Sequence, residues 1–241
     1  MEGEFLLRLR RLRHCRNGRM LFFKHDMYIG RCLSSPDGYA MEELEFLGRF
    51  LRPGDWVVDG GANVGCHSLY FSDRVGEAGG VLAFEPQRLV FQMLCANLAL
   101  NERNNVFAFS DALGNTQEMA FMPRMDYGRV NNFGGVGLSP QGEPVRRLRL
   151  DDLGLPRCRL IKLDVEGSEV AALQGMSETL RRCRPILYVE NDRPSNLVET
   201  IRAEGYRCYW HCPLISPLWE VRSLNLLCLL PEHGDCDLPP C

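Results

Sequence analysis

No stretch of the 241-residue chain runs apolar and uninterrupted for the ~20 residues a bilayer-spanning helix needs; the longest are short runs such as Leu226 to Leu230. An integral membrane protein is excluded. Internal repeats and low-complexity segments are lacking too, and 45% hydrophobic with 24% charged residues rules out collagen-like, coiled-coil and largely disordered chains. Nor is there an excess of positive charge: 28 Lys and Arg against 31 Asp and Glu leave a net charge of −3. Nucleic acid is therefore not an expected partner. Arginine concentrates only at the start, where Arg8, Arg10, Arg11, Arg13, Arg16 and Arg19 interleave with Phe5, Leu6, Leu9 and Leu12. That spacing predicts a basic helix packed on the domain with its charged face solvated. The apolar run that follows, Met20 to Phe23, stops at Lys24 and is too short for a signal-peptide core, so a cytoplasmic location without stable membrane insertion is expected.

Cysteine is plentiful, but the count of eleven is odd and the spacing irregular, which makes reduced thiols the simpler account. Two groups have metal-ligating residue types: Cys208, His211 and Cys212, and His233, Cys236 and Cys241. In the first, a strand-like run points His211 to the face opposite Cys208 and Cys212, poor geometry for one tetrahedral site. Zinc is not expected.

Residues 1–52 read as a mixed lead-in: the basic helix, short strands at Met20 to Phe23 and Met27 to Ile29, then a helix over Tyr39 to Leu51 with apolar spacing at Leu44, Leu47 and Leu51. Pro53 and Gly54 end it. Strand and helix signals then alternate through residues 53–230: strands at Trp56 to Asp59, Val81 to Glu85 and Val106 to Phe109, with helices at Val64 to Val75 and Leu89 to Leu100. After a Gly-, Arg- and Asn-rich interruption they resume as strand Leu160 to Asp164, helix Glu166 to Arg182, strand Pro185 to Glu190, helix Leu197 to Glu204, and strands Tyr206 to Trp210 and Leu224 to Leu229. Such alternation means an α/β fold with a doubly wound, mostly parallel sheet and helices on both faces. The last two strands have no helix between them, so one antiparallel strand is expected at that edge. Residues 115–150 read as hairpins and loops laid over the sheet, a lid facing the acceptor, and 231–241 as a tail.

The sharpest feature is Asp59-Gly60-Gly61-Ala62-Asn63-Val64-Gly65, a strand that delivers an acid and a glycine-rich turn into a helix. In a doubly wound sheet this turn lies at the carboxyl edge, where ligands bind. A dinucleotide needs G-x-G-x-x-G for close approach of the pyrophosphate; here Ala62 puts a methyl at that point and Asp59 adds a repelling anion. An NAD-dependent oxidoreductase is thereby the weaker reading. S-adenosylmethionine (SAM) makes the opposite demand, because it carries an ammonium and a sulfonium and no phosphate. Asp59 suits its amino acid moiety. Glu85, 20 positions after Gly65, can accept from both ribose hydroxyls, and Asp111 just past the third strand can accept from the adenine amino group.

With these acids in register, the chain resembles the FkbM family of SAM-dependent methyltransferases. The resemblance is carried by Asp59 to Gly65, Phe84-Glu85-Pro86, Ala96 to Asn101, Ala112-Leu113-Gly114, Leu150 to Leu153 and above all Ile161-Lys162-Leu163-Asp164-Val165-Glu166-Gly167-Ser168-Glu169. Tyr188 to Arg193 and Tyr209-Trp210-His211 resemble a bacterial branch of it. The resemblance implies a class I, Rossmann-like methyltransferase fold, SAM held by Asp59, Gly61, Asn63, Gly65, Glu85 and Asp111, and methyl transfer to a hydroxyl of a small-molecule, sugar or polyketide-like acceptor. A module that binds SAM without turnover would require the cofactor acids to be lost, and they are present.

An aliphatic hydroxyl must lose its proton as the methyl arrives, which calls for a base within hydrogen-bond reach. Asp164, at the end of the fourth strand, is one candidate, with capping of the following helix as its competing role; Glu190 and His211 are the others. Asp164 with Glu190 and Asn191 also resembles the magnesium site of catechol-type O-methyltransferases. The resembled family is not generally read as metal-dependent, and no metal is expected. The absence of an Asn-Pro-Pro-aromatic run argues for oxygen over exocyclic nitrogen as the acceptor.

Overall fold

The computed structural model describes residues 5–6, 8–192, 195–216, 221–234 and 236–241. Its centre is a seven-stranded sheet of β1 (Trp56–Gly60), β2 (Gly80–Phe84), β3 (Val106–Phe109), β4 (Leu160–Leu163), β5 (Ile186–Glu190), β6 (Arg207–His211) and β7 (Asn225–Leu229), in the order β6-β7-β5-β4-β1-β2-β3. All neighbours are parallel except β7, which runs antiparallel to both β5 and β6 at the end of the sheet where the sequence places such a strand. The inner strands are buried on both faces, as their near-continuous apolar runs require.

Alternate side chains feed two cores. Val58, Leu82, Ile161 and Leu187 pack against α5 (Glu169–Gln174), α6 (Ser177–Cys183) and α7 (Leu197–Ala203). Val57, Val81, Leu160 and Ile186 meet Leu47 of α2 (Met41–Gly48) and Phe71 of α3 (Cys66–Val75). The helix α4 (Arg88–Leu100) supplies Met93, Leu94 and Leu98 to a third cluster. No helix among the described residues is long and apolar enough to cross a membrane.

Three local expectations are corrected. The arginine-rich start is not a helix: Arg10–Cys15 pairs antiparallel with Gly18–Phe23, and Arg10 lies over the ring of Phe23 at 5.6 Å. An isolated short helix is marginal in water, and cross-strand pairing plus docking of Phe22 and Phe23 into the core outweighs local propensity. Met27 to Ile29 is not a strand, since Ile29 opens the short helix α1 (Ile29–Leu33). The helix expected from Glu166 begins only at Glu169 and is interrupted between Gln174 and Ser177. Glu166 holds φ +54° in a tight turn, in which the Glu169 carboxylate accepts from the backbone N–H groups of Val165 and Gly167 at 3.2 and 3.1 Å. Asp164 therefore caps no helix.

The insertion forms a small sheet of Ala112–Leu113, Met119–Met122 and Glu143–Leu148, and Asp26 of the lead-in bridges to Asn131 within it. The last residues lie along the outer edge of β6, where Trp210 N–H donates to Pro239 at 2.8 Å and Cys241 N–H to Cys208 at 2.9 Å, satisfying backbone groups an edge strand would leave open.

Candidate active site

Strand order reverses between β1 and β4, and there, outside their carboxyl ends, lies a cavity of about 440 Å³. Its floor is the glycine-rich turn and the ends of β2, β4 and β5; lead-in residues Tyr28, Ile29 and Tyr39 form one wall. The insertion contributes Met122, Asn132, Gly134, Gly135, Val136 and Leu138 to the lining.

The turn is fixed from below. Gly61, at φ +74°, has no room for a side chain, since a Cβ would stand 1.8 Å from the carbonyl oxygen of Asp164. The N–H groups of Gly61 and Ala62 donate to Phe84 O at 3.0 and 2.9 Å, that of Asn63 donates to Glu85 Oε2 at 2.9 Å, and that of Val64 to the Asn63 side chain at 2.8 Å. None of these four donors is left to cradle a phosphate. A pyrophosphate would also face the Glu85 carboxylate, so the dinucleotide reading loses its physical basis.

The structure places Glu85 at the cavity. It is 3% exposed, lines the cavity, and accepts from the backbone N–H groups of Asn63 and Gln87 without an ion-pair partner among the described residues. Burial pushes its pKa up to about 7 against those two N–H groups, which favour the charged form. A carboxylate so placed has lone pairs left for a pair of hydroxyl donors. Asp111 also lines the cavity, but Arg146 engages both its oxygens at 2.5 and 3.0 Å. Asn63 and Gly61 line the site as expected. Gly65 does not; it precedes α3 at φ +94°, with Leu94 packed where a Cβ would stand.

Asp59 requires a larger correction. It is wholly buried beneath the turn and lines no part of the cavity; Ser68 Oγ donates to its Oδ2 at 2.6 Å and Lys162 Nζ stands 3.6 Å from its Oδ1. Its charge is directed at Lys162 and away from any ligand. Lys162 itself is the residue the sequence reading passed over, although a lysine inside the apolar run Leu160 to Leu163 is a signal that a partner charge must be near. Burial opposes its charge, but Asp164 and Asp59 hold the ammonium protonated well above its usual range.

Asp164 is a third exposed and lines the cavity, 3.3 Å from Lys162 Nζ. Burial tends to raise its pKa, yet Lys162 and a hydrogen bond with Glu190 hold it below the usual carboxylate range. Glu190, which also lines the cavity, is pushed strongly up by burial and by the charges of Asp164 and Glu166. The two are pushed in opposite directions, Asp164 toward its charged form and Glu190 toward its neutral form. Asp164, Glu166 and Glu190 offer oxygens within 4.8 Å of one another, the grouping among the described residues that could bridge a divalent cation. His211 is not at the cavity. It is buried, its Nδ1 is 2.8 Å from the Tyr188 hydroxyl, and its ring stacks on Phe46 at 4.0 Å. Of the other quoted residues, Arg193 lies outside the described residues.

A family model for the methyltransferase FkbM domain matches residues 59–208. Methyltransferase sdnD of Sordaria araneosa is 29% identical over 183 residues, 61% of this chain and 70% of that protein. Methyltransferase 1 of Beauveria bassiana is 27% identical over 150 residues, 51% of this chain and 59% of that protein. Among solved structures, the methyltransferase FkbM from Methylobacillus flagellatus KT shares the fold at a TM-score of 0.50 and 17% identity, over 76% of this chain. The chain spans half the length of that solved protein. With the match running from the glycine-rich turn to the sixth strand, the chain belongs to the FkbM methyltransferase family.

Proposed function

We propose that this chain is a SAM-dependent O-methyltransferase acting on a neutral hydroxyl of a small-molecule, sugar or polyketide-type acceptor. The observation that carries the reading is what lines the one cavity: a buried carboxylate, Glu85, hydrogen-bonded to a phosphate-hostile turn, together with the Asp164–Glu190 pair. The residues fit SAM, since its volume suits a cavity of this size and its ribose hydroxyls supply the two donors Glu85 can take. Glu85 would hold the ribose and Asp111 the adenine edge. The cofactor, when bound, supplies an electrophilic methyl group.

On the acceptor side the chain's own residues do the positioning. Asp164, paired with Lys162 at 3.3 Å, accepts a hydrogen bond from the acceptor hydroxyl, and Glu190, which burial and the Asp164 charge push toward its neutral form, donates one; together they set the oxygen's direction. The carboxylates around them disfavour phosphorylated acceptors and nucleic acid. The two fungal methyltransferases named above are compatible with a small-molecule acceptor. A thermal midpoint that rises with SAM or S-adenosylhomocysteine and not with NADH supports the cofactor reading, and the reverse response refutes it. Transfer of labelled methyl from SAM to a panel of neutral hydroxyl compounds tests the acceptor.

A further inference from the structure

His67 lies one residue inside the N-terminus of α3, is 6% exposed and lines the cavity beside Tyr39 and Asp164. Its Nε2 is 2.6 Å from Oε1 of Glu43, a buried carboxylate on α2. The second oxygen of Glu43 accepts from Asn225 Nδ2 at 3.3 Å, and Asn225 is in turn fixed to Ser223 Oγ at 2.9 Å. A carboxylate oxygen accepts from a ring N–H, so the contact assigns the donor to Nε2, and in the tautomer that donates there the lone pair stands on Nδ1. Nδ1 has no hydrogen-bond partner among the described residues, and the residue lines the cavity. This is the arrangement of an oriented base: one nitrogen anchored by an acid, the other unpaired on a residue that lines the site.

Resting on the reading of the cavity as a SAM-dependent hydroxyl methylation site, we propose that His67, oriented by Glu43, is the group that takes the acceptor's proton. The O–H bond breaks, its proton passes to Nδ1, and its electron pair stays on the oxygen, which forms the new bond to the methyl group as the methyl–sulfur bond breaks and its pair leaves on the sulfur of S-adenosylhomocysteine. The imidazolium so formed faces the Glu43 carboxylate and lies near Asp164, both of which favour it. Asp164 is already paired with the Lys162 ammonium at 3.3 Å, Glu190 is hydrogen-bonded to Asp164, and His211 sits outside the cavity; His67 is the base that the geometry leaves.

The test uses the full chain with S-adenosylhomocysteine and the variants His67→Gln, whose amide can still donate to Glu43, and Glu43→Gln. Nitrogen NMR of the labelled imidazole is expected to show Nε2 protonated and Nδ1 bare, a preference lost in Glu43→Gln; a protonated Nδ1 in the neutral ring overturns the inference. Calorimetry should find S-adenosylhomocysteine bound within about twofold by His67→Gln, whereas a tenfold loss makes His67 a cofactor ligand and overturns it. Methyl transfer to the hydroxyl panel should fall ~10²- to 10⁴-fold in His67→Gln. Unchanged transfer in that variant defeats this inference alone, while a wild-type chain that binds neither SAM nor S-adenosylhomocysteine defeats the parent reading as well.

Discussion

Lys162 Nζ stands 3.3 Å from Asp164 Oδ2, and the same ammonium lies 3.6 Å from Asp59 Oδ1 and 3.2 Å from the carbonyl of Gly61. One buried cation thus ties the end of β4 to the end of β1 and to the turn between β1 and α3. It also decides what the two aspartates do: Asp59 is a counter-ion inside the fold, and Asp164 is an anion that faces the site. Lys162→Met removes the cation and strands a wholly buried carboxylate. We expect a loss of ~3 to 5 kcal/mol of stability in urea unfolding, the usual cost of breaking a buried pair. Adding Asp59→Asn should recover part of it. A double variant less stable than Lys162→Met would contradict the pairing.

Glu85 sets a pH dependence. Its charged form accepts from hydroxyl donors, so protonation competes with the cofactor. With a pKa of about 7 in the free protein, the ionised fraction falls as pH drops through 7. S-adenosylhomocysteine affinity should therefore weaken roughly tenfold from pH 8 to pH 6 in calorimetry. Glu85→Gln should bind severalfold to a hundredfold more weakly and lose the pH slope. A slope that survives in Glu85→Gln belongs to another group.

The sheet, its reversal point and Glu85 were legible because each depends on local signals: alternating strand and helix patterns, a glycine turn, an acid at a strand end. The partners were not. Asp59 and Asp111 look alike in the sequence, yet one lies beneath the turn with Lys162 and Ser68, and the other lines the cavity paired with Arg146, 35 residues on. Glu43 meets His67 across 24 residues, from a helix whose apolar spacing gives no sign of a polar contact. The basic hairpin was misread because its pairing and docking, absent from any local window, decide its form. His211 carries the right chemistry at a strand end, but only the packing of Phe46 and Tyr188 shows that it is closed off.

The asparagines in Ala96 to Asn101 acquire a physical role from that hairpin. Asn97 is wholly buried; its Oδ1 accepts from Leu21 N–H at 2.6 Å, and its Nδ2 donates to Leu21 O at 3.0 Å and to Val64 O at 2.8 Å. It joins the lead-in, α4 and the cofactor turn through one side chain. Asn97→Ala leaves the buried Val64 carbonyl and the half-buried N–H and carbonyl of Leu21 without that partner, and we expect ~1 to 3 kcal/mol to be lost in chemical denaturation. Hydrogen exchange should quicken in Gly18–Phe23 and around Val64 together. Exchange that quickens in only one of the two would show that Asn97 does not couple them.

Asp164→Asn separates positioning from proton removal. Asparagine is nearly isosteric but uncharged, and it offers a weaker acceptor to the hydroxyl while losing the pairing with Lys162. Losing a hydrogen bond to a charged group costs ~1.5 to 3 kcal/mol, so single-turnover methyl transfer should slow ~10- to 10²-fold. Affinity for S-adenosylhomocysteine should stay within about twofold, because Glu85 takes its hydrogen bonds from the Asn63 and Gln87 N–H groups and none from this carboxylate. A slowing of ~10³-fold or more, with His67→Gln mild, would make Asp164 the proton acceptor. A wild-type rate that collapses with a chelator and returns with Mg²⁺ would instead assign Asp164, Glu166 and Glu190 to a cation. Full activity in Asp164→Asn would remove this residue from the chemistry, leaving it only the charge that balances Lys162.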